Sequence, residues 1–192
     1  MTITKFIAAG LTALALSISA PAHAALLVGT SGSAANIVND YSDAGVVSFD
    51  LEVRNFTGTT LNFVLQEADL GGPLSLSAMV FNLSGISFPQ FHFGLQGISF
   101  AAPGSVSAFS QALSVSHSAN HAAITFANGE PAEFQFGNPT LVIGRSDWLL
   151  DTTGMRAGDT FSIVAEVPEP STIALMLPLL LGGLMVARRR QG

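Results

Sequence analysis

Residues 46–53 read VVSFDLEV. Val47, Phe49, Leu51 and Val53 alternate with Ser48, Asp50 and Glu52, a period of two that suits an extended strand with one buried face and one wet face. The chain then turns through Asn55-Phe56-Thr57-Gly58-Thr59 and resumes as Leu61-Asn62-Phe63-Val64-Leu65, so the two segments are expected to pair as a hairpin. Short apolar runs follow at 76–83, 91–95, 98–100, 122–126, 133–136, 140–143, 148–150 and 160–166, punctuated by Gly, Pro, Asn and Asp at the intervals of a sandwich. Residues 106–113 alone admit a helix, on which Val106, Phe109 and Leu113 would share a face. The expectation is an all-β domain, an antiparallel β-sandwich of two sheets. Gly85-Ile86-Ser87-Phe88 recurs as Gly97-Ile98-Ser99-Phe100. Two copies are too few for a solenoid, so the echo reads as two similar strand starts in neighbouring hairpins.

The sandwich would occupy residues 25–166, a length that fits one domain with a real core. That segment holds three arginines, no lysine and twelve carboxylates, a net charge of −9 against −6 for the whole chain. Such a surface repels a phosphate backbone, which excludes nucleic acid as a partner. It favours solubility and contact with cations or carbohydrate. The chain has no cysteine, which rules out disulfides, thiolate metal sites and cysteine nucleophiles.

Catalytic signatures are missing from the pattern. No Gly-x-Ser-x-Gly elbow and no Gly-rich phosphate loop occurs. His117 and His121 would share a face on a helix, but Ser118 stands where a zinc protease needs glutamate, and the Ser/Ala/Asn-rich setting reads as a polar loop. His92, between Phe91 and Phe93, reads as the solvent-facing position of a strand. Asp40 with Asp43, or Glu67 with Asp69, has hard oxygens for calcium without the spacing of an EF-hand loop. Asn55-Phe56-Thr57 and Asn82-Leu83-Ser84 are formal glycosylation triplets expected to go unused. No catalytic residue, metal site or cofactor is expected, and the protein reads as a non-enzyme.

The two ends carry separate signals. Residues 1–24 have one early charge, Lys5, an apolar stretch from Phe6 to Ala20, and Ala22-His23-Ala24. This is the layout of a secretory signal peptide cut between Ala24 and Ala25. At the other end, Val167-Pro168-Glu169-Pro170-Ser171 precedes an apolar segment at 172–187 and the cluster Arg188, Arg189, Arg190. A helix over that segment would span about 25 Å, barely enough for a hydrocarbon layer of about 30 Å, and Pro178 loosens it further. The arginines act as a stop-transfer cluster that stays on the cytoplasmic side. The two prolines of the triplet hold the chain extended beside the membrane, where a processing enzyme could grip it.

In the order of these parts, Val167–Arg190 resembles a PEP-CTERM sorting signal, carried by exported proteins of Gram-negative bacteria that make extracellular polysaccharide. Pro168-Glu169-Pro170 matches the signature triplet, residues 172–187 the membrane segment, and Arg188–Arg190 the basic tail. The resemblance covers about 24 of the 192 residues. It implies handling by an exosortase after signal peptidase, a transient stay in the inner membrane, and release to the cell surface or medium. Residues 53–65, with their Asn-x-Thr-Gly turn, and Gly158-Asp159-Thr160-Phe161 also resemble the Ser/Thr/Gly-rich β domains that such proteins carry.

The expected organisation is therefore a signal peptide at 1–24, a β-sandwich ectodomain at 25–166 and a sorting signal at 167–192 with a single transmembrane helix. Two roles remain open for the ectodomain. One is a surface or matrix protein contacting exopolysaccharide in a biofilm. The other is a secreted carbohydrate-binding protein, calcium-dependent or not, or a carbohydrate-active one, against which the scarcity of Trp148 and Tyr41 counts.

Overall fold

The alternation at 46–53 is met as expected: every second residue of that stretch is buried. The computed structural model describes residues 25–109, 113–127 and 132–168. The expected signal peptide, residues Glu169, Pro170 and Ser171, the membrane segment and Arg188–Arg190 lie outside the described residues. The strands are β1 (Leu26–Gly32), β2 (Ile37–Asp40), β3 (Val46–Val53), β4 (Thr59–Val64), β5 (Leu74–Asn82), β6 (Gln90–Gln96), β7 (Ser99–Ala102), β8 (Val106–Ala108), β9 (Leu113–His117), β10 (His121–Phe126), β11 (Glu133–Phe136), β12 (Trp148–Asp151) and β13 (Thr160–Glu166). One 3-10 turn, Glu67–Gly71, separates β4 from β5.

They form two sheets. Sheet A runs β1-β4-β13-β6-β10-β9. Sheet B runs β2-β3-β5-β11-β8, with β12 alongside the first residues of β5 and β7 alongside β12. Among the described residues all pairs are antiparallel except β3 with β5.

That exception corrects the expected hairpin. β3 belongs to sheet B and β4 to sheet A, so residues 54–58 arch across the core instead of closing a two-stranded ribbon. Alternation dictates that both strands bury one face, and stacking the faces satisfies it as well as lateral pairing does. The chain returns from β4 to sheet B through the 3-10 turn, so β5 runs in the same direction as β3 and lies beside it. Asp69, only 1% exposed, fixes this turn. Its Oδ1 accepts from the Gly45 N–H at 3.0 Å and its Oδ2 from the Gln66 N–H at 2.8 Å, the bonds that a buried carboxylate needs.

The sheets are locked by aromatic rings. Phe91 and Phe93 of β6 meet Phe134 and Phe136 of β11 at 5.1 and 4.5 Å between centroids. Phe136 stacks on Trp148 of β12 at 4.5 Å. Each such ring brings about 1.5–3 kcal/mol of burial, with contact geometry adding to it. Phe88 plugs one end, touching Phe56, Phe91 and Phe126.

Three further expectations are corrected. The run 140–143 is a loop and not a strand, with Leu141 in the left-handed region at φ 56°. Its apolar residues are not buried: Leu141 is 84% and Ile143 100% exposed. The possible helix at 106–113 is replaced at its described ends by β8 and by the start of β9, because Val106 pairs with Phe136 and Leu113 with Phe126. The first copy of the Gly-Ile-Ser-Phe echo lies in the loop that brings Phe88 to the core, whereas the second opens β7. Gly85 and Gly97 both take positive φ, 72° and 77°, which is what the echo has in common.

Candidate functional site

The hairpin of β9 and β10 decides where the histidines go. His117 and His121 close it, with the Ser118 N–H donating to the His121 carbonyl at 2.8 Å. On the antiparallel pair His117 lies opposite Ala122, a core position, which sets it on the inner side of sheet A although the residue itself is exposed at the sheet's edge. It meets Trp148 edge-on at 5.6 Å. His121 points to the other face of sheet A. The two histidines that sequence spacing brought together are thus separated.

His121 meets His92 instead. β6 and β10 pair with His121 opposite Gly94 and His92 opposite Ala123. The histidines occupy one diagonal of that four-residue square and the two smallest side chains occupy the other. Their ring centroids lie 4.7 Å apart at an interplanar angle of 75°. Glu166 of β13 is the neighbour of His92 on the far side. Its carboxylate leans the other way, with Oε2 3.8 Å from where a Cβ on Gly58 would sit. The His92 imidazole is held below its usual pKa, first by burial and then by the charge of His121, with Glu166 opposing. His92 therefore favours the neutral, lone-pair-bearing form.

Sequence reading placed His92 on a wet strand face, as found, and missed its partner. Half of the signal was present: buried Phe91 and Phe93 set His92 outward, and the alternation of Ala122, Ile124 and Phe126 sets His121 outward. That β6 and β10 are neighbours is a long-range fact of topology.

The outer face of sheet B differs. Asp50 and Glu52 of β3 and Glu133 of β11 flank Met79 and Phe81 of β5. Asp50 is held above its ordinary pKa, chiefly by burial. The Tyr41 hydroxyl hydrogen bond works against the rise, and the charges of Glu133 and Glu52 add to it. Arg54 bonds Glu52 at 2.7 Å, and Arg145 donates to Gln135 Oε1 at 2.6 Å.

Of the calcium candidates, Asp40, Asp43 and Asp69 are engaged locally. Asp40 Oδ1 accepts from the Ser42 N–H and hydroxyl, Asp43 Oδ1 from the Ala44 N–H, and Asp69 holds its turn. Among the described residues no group of three or more His, Cys, Asp or Glu is set to hold a metal. The recesses are open and modest. One of about 240 Å³ lies between residues 100–103 and His117–Ala119, and one of about 320 Å³ lies between residues 70–73 and 151–155. Trp148 is fully buried and donates to the Ser105 carbonyl, so it offers no platform to a sugar ring.

Of the expected processing residues, Ala25, Val167 and Pro168 are described. Ala25 and Val167 are both packed in the core, at 1% and 6% exposure. Among the described residues no helix is long and apolar enough to cross a membrane, and 172–187 lies outside them. No family model, no curated protein and no solved structure matches this chain.

Proposed function

We propose that this is an exported, exosortase-sorted protein of the cell surface or extracellular matrix, non-enzymatic and associated with exopolysaccharide. The observation that carries the reading is the order of rigid triplet, short apolar run and arginine cluster within Val167–Arg190. Each part has its own job. The prolines preset the backbone for a processing enzyme, the apolar run holds the chain in the bilayer for a time, and the arginines fix orientation. The packing of Ala25 and Val167 is in keeping with this, since cuts before the first and after the second leave the core whole.

Replacing Pro168 and Pro170 by alanine in a host with an exosortase should leave export and insertion intact and block release. Full-length protein should then accumulate in the inner membrane. Mass spectrometry of the C-terminus decides: an intact Gly192 on most of the wild-type surface protein would overturn the proposal.

A further inference from the structure

We propose that His92 and His121 form a binding site for a divalent transition-metal ion on the outer face of sheet A, with Cu²⁺ the tightest occupant and water completing the coordination. Two imidazoles sharing one metal at about 2.0–2.1 Å per nitrogen, with an angle of about 90–110°, place their ring centroids about 4.5–5.2 Å apart. The observed 4.7 Å lies inside that window. The ring spacing of a two-imidazole chelate is therefore already set by the paired strands.

Three more observations favour the site. The strands are fixed by a continuous register from His121–Gly94 to Thr125–Gln90, so both ligands stand on rigid backbone. Gly94 and Ala123 at the other corners of the square add no bulk beside the rings, and both histidines are only half-buried, so solvent reaches the pair. Glu166 is the cross-strand neighbour of His92 on β13, and although its carboxylate leans toward Gly58 its charge has the right sign to attract a cation.

Imidazole with water is a borderline donor set. It suits Cu²⁺, Ni²⁺ and Zn²⁺ over calcium or magnesium, and the affinity order of such sites places Cu²⁺ first. His92 and His121 are distant in the chain, so the unfolded state lacks the paired site and bound metal should stabilise the fold.

The test is titration of the purified exported protein with CuCl₂ and with NiCl₂, followed by calorimetry and by Cu²⁺ electron paramagnetic resonance. The wild type should bind one Cu²⁺ with a spectrum showing two nitrogen ligands and should melt at a higher temperature with the metal. H92Q and H121Q should each lose affinity at least tenfold and show one nitrogen fewer. H117Q, whose ring faces Trp148, should bind as the wild type does. All three histidine variants should keep the wild-type circular dichroism, which separates loss of ligand from loss of fold. Equal affinity in wild type and the H92Q/H121Q double variant would overturn the proposal, as would a loss confined to H117Q.

Discussion

On the outer face of sheet A, Val164, Gly94, Ala123 and one carboxylate, Glu166, border a histidine pair. On that of sheet B, three carboxylates surround Met79 and Phe81. Inward, the sheets are alike, both presenting Phe, Leu and Ala to one core, with Ile added by sheet A and Val by sheet B. The interior code comes from the need to remove apolar surface from water, which any strand meets in the same way. The outward positions are free of that demand and hold the chemistry that distinguishes the sheets.

The largest effect should come from breaking what the sheets share. Phe136 touches Phe93 of sheet A and Phe100 and Trp148 of sheet B. F136A should cost about 3–5 kcal/mol of stability, read from a denaturant melt. Because its ring bridges the sheets, amide exchange should speed up in β6 and β11 together. Acceleration in sheet B alone would mean that the sheets open independently.

A smaller contrast sets two glycines against each other. Gly137, at the end of β11, has φ 77°, and a Cβ there would meet the Leu76 carbonyl oxygen at 2.7 Å. Gly94 in β6 takes no such φ, and its Cβ would meet Val164 Cβ at 3.6 Å, an ordinary contact. G137A should destabilise by about 1–3 kcal/mol, while G94A should stay within about 0.5 kcal/mol of wild type. A comparable loss from both would mean that the sheet A face is less open than described.

The interior was legible in the sequence and the connections were not. β11 and β13 match the runs 133–136 and 160–166 read from alternation and punctuation. The arch from β3 to β4 was misread because a period of two tells which face is buried and not which neighbour supplies the hydrogen bonds. Residues 140–143 were misread because an apolar run has the composition of a strand. There Asn138 intervenes: its side chain bonds the Val142 N–H at 2.7 Å and the carbonyls of Val142 and Arg145. It accordingly wraps the segment into a loop. β1 and β2 were not anticipated at all. With Gly29, Ser31 and Gly32 in one and only four residues in the other, they carry little apolar pattern.

The smallest expected effect tests the two outer faces most directly, because they should answer pH with opposite signs. His92 has a folded pKa below its ordinary 6.5, through burial first and His121 second. Between those two values the unfolded chain holds a proton that the folded chain lacks, so stability from this site is complete above pH 6.5 and falls as pH drops through the window. Asp50 has a folded pKa above its ordinary 3.8, through burial first. From 3.8 upward to that raised value the folded chain holds the proton that the unfolded chain has released, so stability falls as pH rises and Asp50 is a net cost at neutral pH. D50N should therefore stabilise the protein at pH 7 and lose that advantage below pH 3.8. H92Q should lose stability relative to wild type above pH 6.5 and less below it. Both changes should be within about 0.5 kcal/mol, since both groups lie near the surface. Denaturant melts of the three proteins from pH 3 to 8, with a chelator present to keep metal off the histidines, give the two difference curves. The wild-type-minus-variant curve should rise with pH for His92 and fall with pH for Asp50. Curves of the same sign would show that the two faces share one electrostatic environment, and the contrast between the sheets would then be one of residue type alone.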